Sequence, residues 1–251
     1  MTPLYTALLM ALICLLLGLP ALLRTGSWRY VLGGALLVFA FMLAALAAPH
    51  KLFAGLPPPV SEGNNWTGAL LMLLVGATAV GLLTRLAGWK REEFGLRLRF
   101  HPGTGADVAR YLLPLLVVEL GVLWLLIPGG STSWESHVFQ LLAPGITEEL
   151  VFRGVLLALL DRAFAGRVRV LRADLGWGTV VSSVVFGLCH GLRVGADFDV
   201  TVRLMPMLIP TVGGFVLAWC RARSGSLLLP ILVHGGMNEV AQLIVLLKAR
   251  R

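Results

Sequence analysis

Charge is scarce in this sequence: Asp, Glu, Lys and Arg together make up 14% of its 251 residues, against about 25% in a typical soluble domain. With 57% hydrophobic residues alongside, that deficit excludes an ordinary soluble globule and points to a multi-pass membrane protein. Acid is the scarcer sign, with 13 acidic residues against 21 Lys and Arg. The net charge of +8 does not indicate nucleic-acid binding, because the basic residues sit in short clusters between apolar runs. Membrane topology and anionic headgroups account for such clusters. Cysteine is also sparse. No CxxC pair occurs, and Cys14, Cys189 and Cys220 lie in or at the ends of apolar runs, so they read as small buried hydrophobes. The opening stretch, MTPLYTALLMALICLLLGLPALLR, lacks a basic residue ahead of its apolar core. That argues against a cleaved secretory signal and for a retained first helix. No HExxH zinc motif and no internal repeat are present; the missing half-to-half repeat weighs against a transporter.

What is abundant is apolar run length. A spanning helix needs about 20 mostly apolar residues, and eight such runs lie near 4–23, 30–49, 66–84, 109–128, 137–161, 176–192, 204–221 and 226–247. The fold class expected is all-α, a multi-pass integral membrane protein with about eight transmembrane helices. The last four runs are interrupted by Gly, Pro and polar residues. Such interruptions are tolerated where a helix faces protein or a polar cavity rather than lipid. Two connections are longer: a Pro-rich one at 49–66, and a charged one at 90–110 expected to hold a short interfacial helix or hairpin. The second gives the boundary between residues 1–108, about three helices and a charged loop, and residues 109–251. If the spans alternate, one side collects Arg24, Arg29, Arg85, Lys90, Arg91, Arg97, Arg99, Arg110, Arg162, Arg167, Arg169, Arg172, Arg221 and Arg223. The other collects Lys51, Arg193, Arg203, Lys248, Arg250 and Arg251. The positive-inside bias puts the first set in the cytoplasm and both termini outside, although the basic tail KARR opposes it.

Against this oily background the stretch ITEELVFRGVL, residues 146–156, stands out. An ionised side chain at the bilayer centre costs about 2.5–3.5 kcal/mol on insertion scales, so such residues face a bundle interior and have partners. Sequence neighbours on a helix point about 100° apart, so Glu148 and Glu149 cannot face the same way. Glu149 and Arg153, four apart, share a face and are expected to pair. Glu148 is left without a local partner, on a stripe with Phe152. Two more spans hold polar residues at the same spacing: Phe186 and His190 in VVFGLCHGL, His234 and Asn238 in LVHGGMNEV. Glycines flank both histidines and allow close helix approach.

Together these residue types suit water activation. A carboxylate in a poorly solvated pocket is a stronger base than one in water, so Glu148 is placed to take a proton from water. One imidazole orients that water. The other, with the Asn amide, donates to a tetrahedral oxyanion. No Ser or Cys nucleophile is needed, and Ser182 and Ser183 are not promoted. No cofactor is expected; the alternative is zinc held by Glu148, His190 and His234. Glu119, deep in the fourth run, is a candidate partner for Arg153 or another inter-helix donor, or a protonated acid. Glu239 points to a different face from Asn238. The segment GADFD, 195–199, reads as a solvated turn rather than a cation site.

EELVFR is an EExxxR, FGLCH an FxxxH and HGGMN an HxxxN. In that order, each in an apolar span, they resemble the CAAX protease and bacteriocin-processing family of intramembrane glutamic endopeptidases, over roughly residues 109–251. The resemblance implies an eight-span helical enzyme that hydrolyses a peptide bond near the membrane, with residues 109–251 its catalytic core. It makes Glu148 the base, His190 its assistant, and His234 and Asn238 the oxyanion donors, with Glu149, Arg153 and Phe186 as supporting motif residues. The implied partners are a membrane-anchored protein or peptide and the lipid bilayer, with no nucleic acid. The expected location is a bacterial inner membrane. Members of this family remove the tripeptide after a prenylated cysteine, mature bacteriocins or confer immunity to them, or resemble sorting proteases that cut C-terminal anchors of exported proteins. The less basic side, which His190 faces, favours the sorting type. The alternatives are CAAX-type processing of prenylated proteins and a non-catalytic immunity or scaffold protein.

Overall fold

The computed structural model describes residues 2–25, 27–47 and 64–249. The Pro-rich connection falls outside the described residues as far as position 63, as do Lys51, Arg250, Arg251 and the side chain of Arg24. Ten α-helices are described: α1 (Thr2–Thr25), α2 (Trp28–Ala47), α3 (Trp66–Ala87), α4 (Thr104–Asp107), α5 (Leu113–Leu126), α6 (Trp134–Glu149), α7 (Leu157–Ala163), α8 (Trp177–Gly191), α9 (Leu204–Ser224) and α10 (Leu228–Ala249). Two of the joins are π-helical. Val108–Leu112 links α4 to α5, and Leu150–Leu156 links α6 to α7.

Six of these runs are long and apolar enough to cross a membrane: Thr2–Pro20, Trp28–Leu46, Trp66–Ala87, Thr104–Leu126, Leu204–Ser224 and Leu228–Ala249. Helix α8 is apolar but shorter, at 15 residues. The continuous run from Trp134 to Ala163 completes the set, and it carries the buried acids and arginine. The chain is thus an all-α, multi-pass membrane protein. Leucines such as Leu8, Leu36, Leu74 and Leu125 on its outer faces are exposed to what would be acyl chains.

The charged connection at 90–110 forms a short 3₁₀ turn, Arg91–Phe94, followed by α4, rather than a hairpin. Hairpins appear elsewhere. Strands β1 (Arg167–Val170) and β2 (Ala173–Gly176) pair antiparallel between α7 and α8. Strands β3 (Leu192–Val194) and β4 (Val200–Val202) pair between α8 and α9. GADFD is the turn of the second hairpin, closed by Gly195 N–H donating to the Asp199 carbonyl at 2.8 Å.

The two ends of the bundle differ. At one, Val194 N–H donates to Thr6 Oγ1 at 2.9 Å and Phe198 stacks on Tyr5, so β3–β4 sits beside the start of α1. The opposite end is basic and cross-tied. Buried Asp107 holds Arg223 at 2.5 Å and Arg172 at 3.2 Å, and Arg162 pairs with Glu93. Glu93 lies outside the spans. Burial works to raise its pKa, but the Lys90 N–H and the Arg162 guanidinium outweigh it and hold the carboxyl below its usual range.

The main core joins α1, α2 and α3 to the α6–α7 run and α8. Phe41 meets Phe152 edge-on at 5.0 Å, and Phe152 meets Phe186 at 5.0 Å. Helix α5 is different. It has no buried residue between Leu113 and Leu126 and is fixed near its ends. Leu112 and Leu116 pack on Trp219 and Leu229, while Lys248 Nζ donates to the carbonyls of Trp124 at 2.8 Å and Ile127 at 2.6 Å.

Candidate active site

Glycine sets how close the site helices come. A Cβ on Gly145 of α6 would lie 3.0 Å from the Ile231 carbonyl and 3.3 Å from the Gly235 nitrogen of α10, and one on Gly235 would strike the Leu141 carbonyl. A Cβ on Gly187 of α8 would collide with Thr211 of α9. Only residues without a side chain permit these approaches. Pro144, one residue before Gly145, lacks the N–H that would bond back into α6, and the π-helical turn begins six residues later at Leu150. π-turns frequently mark functional sites.

At this crossing the two acids diverge, as helical geometry requires. Glu149, buried to zero exposure, accepts from Arg153 Nη1 at 2.9 Å and from His234 Nδ1 at 2.8 Å. Arg153 is equally buried and donates a second bond to the Gly214 carbonyl of α9 at 3.3 Å, with its guanidinium 4.1 Å from the centre of the Phe186 ring. Glu148 points the other way. Its Oε2 lies 3.8 Å from His190 Nε2 and 4.0 Å from His234 Nε2, and is buried without a hydrogen-bond partner.

The hydrogens on the two imidazoles follow from their partners. His190 Nδ1 faces the Phe186 carbonyl at 2.8 Å. A carbonyl can only accept, so Nδ1 carries the hydrogen. His234 Nδ1 faces the Glu149 carboxylate and carries one for the same reason. Both rings therefore turn Nε2 toward Glu148. When neutral, each presents a lone pair to an oxygen that also only accepts. Separations of 3.8 and 4.0 Å are too long for direct hydrogen bonds, and suit a bridging water that donates in these directions. Phe186 sets both rings, at 4.7 Å from His190 and 5.9 Å from His234.

These groups open onto a cavity of about 420 Å³. Glu148, His190, His234 and Asn238 all line it, with Phe186 behind them. Its lining runs from Leu217 and Val233 to Phe139, Gln140 and Ile209. Those three are within about two turns of the end that carries β3–β4. His190 is the most open of the polar group, with 36% of its side chain exposed. Ser182 is turned away and donates to the Phe152 carbonyl, and Ser183 is fully buried outside the cavity lining.

Glu119 does not bond to Arg153, whose partners are Glu149 and Gly214; it lines the cavity instead. Glu239 accepts from His137 at 2.7 Å, and His137 Nε2 meets Thr132 at 2.8 Å, so this acid ties α10 to the start of α6. Sequence reasoning did not single out the wall supplied by α9, Ile209 to Leu217, or the Gly214 carbonyl. The clustered Pro206, Pro210, Gly213 and Gly214 were the available signal. Among the described residues no group of three or more His, Cys, Asp or Glu side chains is arranged to hold a metal ion.

No curated protein and no solved structure matches the chain. Residues 130–240 match the family model described as type II CAAX prenyl endopeptidase Rce1-like. The matched stretch runs from just before α6 into α10 and contains Glu148, Glu149, Arg153, Phe186, His190, His234 and Asn238, though not Glu119. Over residues 130–240, the chain is thus similar to the Rce1-like type II CAAX prenyl endopeptidases.

Proposed function

We propose that this protein hydrolyses a peptide bond of a membrane-anchored protein, using water activated by Glu148 and without a bound metal. The observation that carries the reading is the convergence of Glu148, His190, His234 and Asn238 on one cavity, with Glu148 Oε2 buried and unpaired. Water held between that oxygen and the two Nε2 atoms gives its proton to Glu148 as its oxygen attacks the carbonyl carbon. The oxyanion that forms accepts from the Asn238 amide and from Nε2–H of His234. Since Nδ1 of His234 is committed to Glu149, donation from Nε2 makes that ring an imidazolium. Glu148, Glu149, Arg153 and His234 are then neutral as a set. The proton on Glu148 passes to the leaving nitrogen as the C–N bond breaks.

The substrate we propose is the C-terminal anchor of an exported protein. Supporting this, the cavity rises toward the end bearing β3–β4, and the basic residues crowd the opposite end, which the positive-inside bias places in the cytoplasm. The test uses purified full-length protein in lipid nanodiscs and two reporters, one ending in an exported-type anchor helix and one in a farnesylated CAAX sequence. Cleavage of the first is expected. Glu148→Gln should lower it by about 10²-fold or more at unchanged protein level, and His190→Ala should also lower it. Undiminished cleavage by Glu148→Gln would remove Glu148 from the mechanism. Exhaustive chelation should leave the rate unchanged; a loss restored by Zn²⁺ would support the zinc alternative through Glu148, His190 and His234. Cleavage of the farnesylated reporter alone would overturn the anchor proposal.

A further inference from the structure

The mechanism leaves one cavity acid unused. Glu119 sits in the middle of α5, whose neighbours Val117, Val118 and Leu120 face outward at 67%, 63% and 42% exposure. Glu119 alone in this stretch is turned inward, where it lines the cavity together with Glu148 and the two histidines. It lies about 20 Å from the start of its run at Thr104, and Glu148 lies a similar distance from Trp134 at the opposite end. Both acids lie within the spanning part of the bundle and line the same cavity. No hydrogen bond or ion pair joins Glu119 to the described residues, although it is within electrostatic range of His234.

Among the described residues, the cavity lining contains no Lys or Arg. Arg153, the nearby cation, is spent on Glu149 and Gly214 behind the wall. The four-residue set proposed to perform the chemistry is neutral with His234 as an imidazolium, so Glu119, when ionised, is an extra carboxylate without a counter-charge. A charge at this depth requires a partner. The space in front of it is where substrate must lie. We propose that Glu119 is a specificity-determining residue that receives a cationic side chain, Lys or Arg, of the substrate within a few residues of the scissile bond. This rests on the protease reading of the same cavity. The preferred substrate is then a membrane segment whose apolar sequence is broken by one basic residue close to the cut. An ammonium or guanidinium entering beside Glu119 exchanges the polar interface for a charge-assisted hydrogen bond inside the cavity.

The probes are pairs of palmitoylated, internally quenched peptides, identical except for Arg against its neutral isostere citrulline, with that position scanned along the chain. Affinity is read by thermal shift of the full-length protein, which requires no turnover, because a ligand of the folded state raises its melting temperature. At one position the Arg peptide should bind wild type about tenfold more tightly than its twin, the worth of a charged hydrogen bond. In Glu119→Gln the ratio should fall to about one, and Glu119→Asp should recover part of it. Equal affinity of the twins for wild type, including none measurable for either, overturns the proposal. So does a preference that survives in Glu119→Gln. Fluorescence release separates the two readings. Cleavage of both twins at equal rates by wild type and Glu119→Gln keeps the hydrolase and removes the role of Glu119. A Glu119-dependent preference in binding with no cleavage does the reverse.

Discussion

Arg153 has its side chain wholly inside the protein, and so has Glu149. Breaking a buried ion pair by removing one partner costs about 3–5 kcal/mol, because the other charge is left stranded, whereas replacing both by apolar residues of similar size is often neutral. Glu149→Leu is therefore expected to accumulate poorly and to lower the melting temperature sharply. Adding Arg153→Met should restore much of that stability. It should not restore cleavage, since His234 has lost the carboxylate that orients Nδ1. Thermal melts and peptide turnover of the single and double variants check both halves. A double variant as unstable as the single one would show that the pair is not what makes Glu149 necessary. The local pairing and the split between the two acids were legible in the sequence because an i, i+4 spacing on a helix fixes which side chains meet. The placement of Glu119 was not. A lone acid in an apolar run shows that it must face something polar, but not whether that is a cation on another helix or a cavity.

At the scale of elements, the site depends on how closely α6 and α10 cross. Gly235 has the Leu141 carbonyl against it, while the neighbouring Gly236 has nothing within 4 Å of an added Cβ. Gly235→Ala should force the helices apart, destabilise by about 1–3 kcal/mol and reduce cleavage by moving His234 away from Glu148. Gly236→Ala should be neutral, or slightly stabilising from its better helix propensity. Equal melting temperatures and activities for the two variants would show that the crossing tolerates a methyl group. The helical passes were legible because an apolar run of spanning length has few other uses. The two hairpins and the π-turn were not. β1–β2 includes the charged, exposed Arg167 and Arg169 and carries no buried face on its first strand, so hydropathy gives it no pattern to find. The widened turn at Leu150–Leu156 is a local change of helical pitch that period-counting along one helix does not register.

For the whole molecule the central quantity is orientation. Val200 in β4 and Arg169 in β1 lie at opposite ends of the bundle and are both exposed, and the native cysteines are buried. A membrane-impermeant maleimide applied to intact cells should label Val200→Cys and should reach Arg169→Cys only after permeabilisation. The reverse pattern would place the cavity mouth in the cytoplasm and turn the substrate proposal toward prenylated cytosolic proteins. Charge counting over alternating spans anticipates this layout, but each pass omitted or added inverts the answer. The fold supplies the alternation independently, by tying the start of α1 to β3–β4 through Thr6 and Val194.

The dependence on α10 has a consequence for biogenesis. That helix contributes His234 and Asn238 to the cavity, Gly235 to the crossing and Lys248 to the last carbonyls of α5. A nascent chain inserts in order from its N-terminus, so every other wall precedes it through the translocon. Until α10 docks, Glu148 faces His190 without His234 or Asn238, the proposed oxyanion donors. On the proposed mechanism, competence to hydrolyse then appears in a single late step, so incompletely assembled copies would pose no threat to other newly made membrane proteins passing the same insertion site.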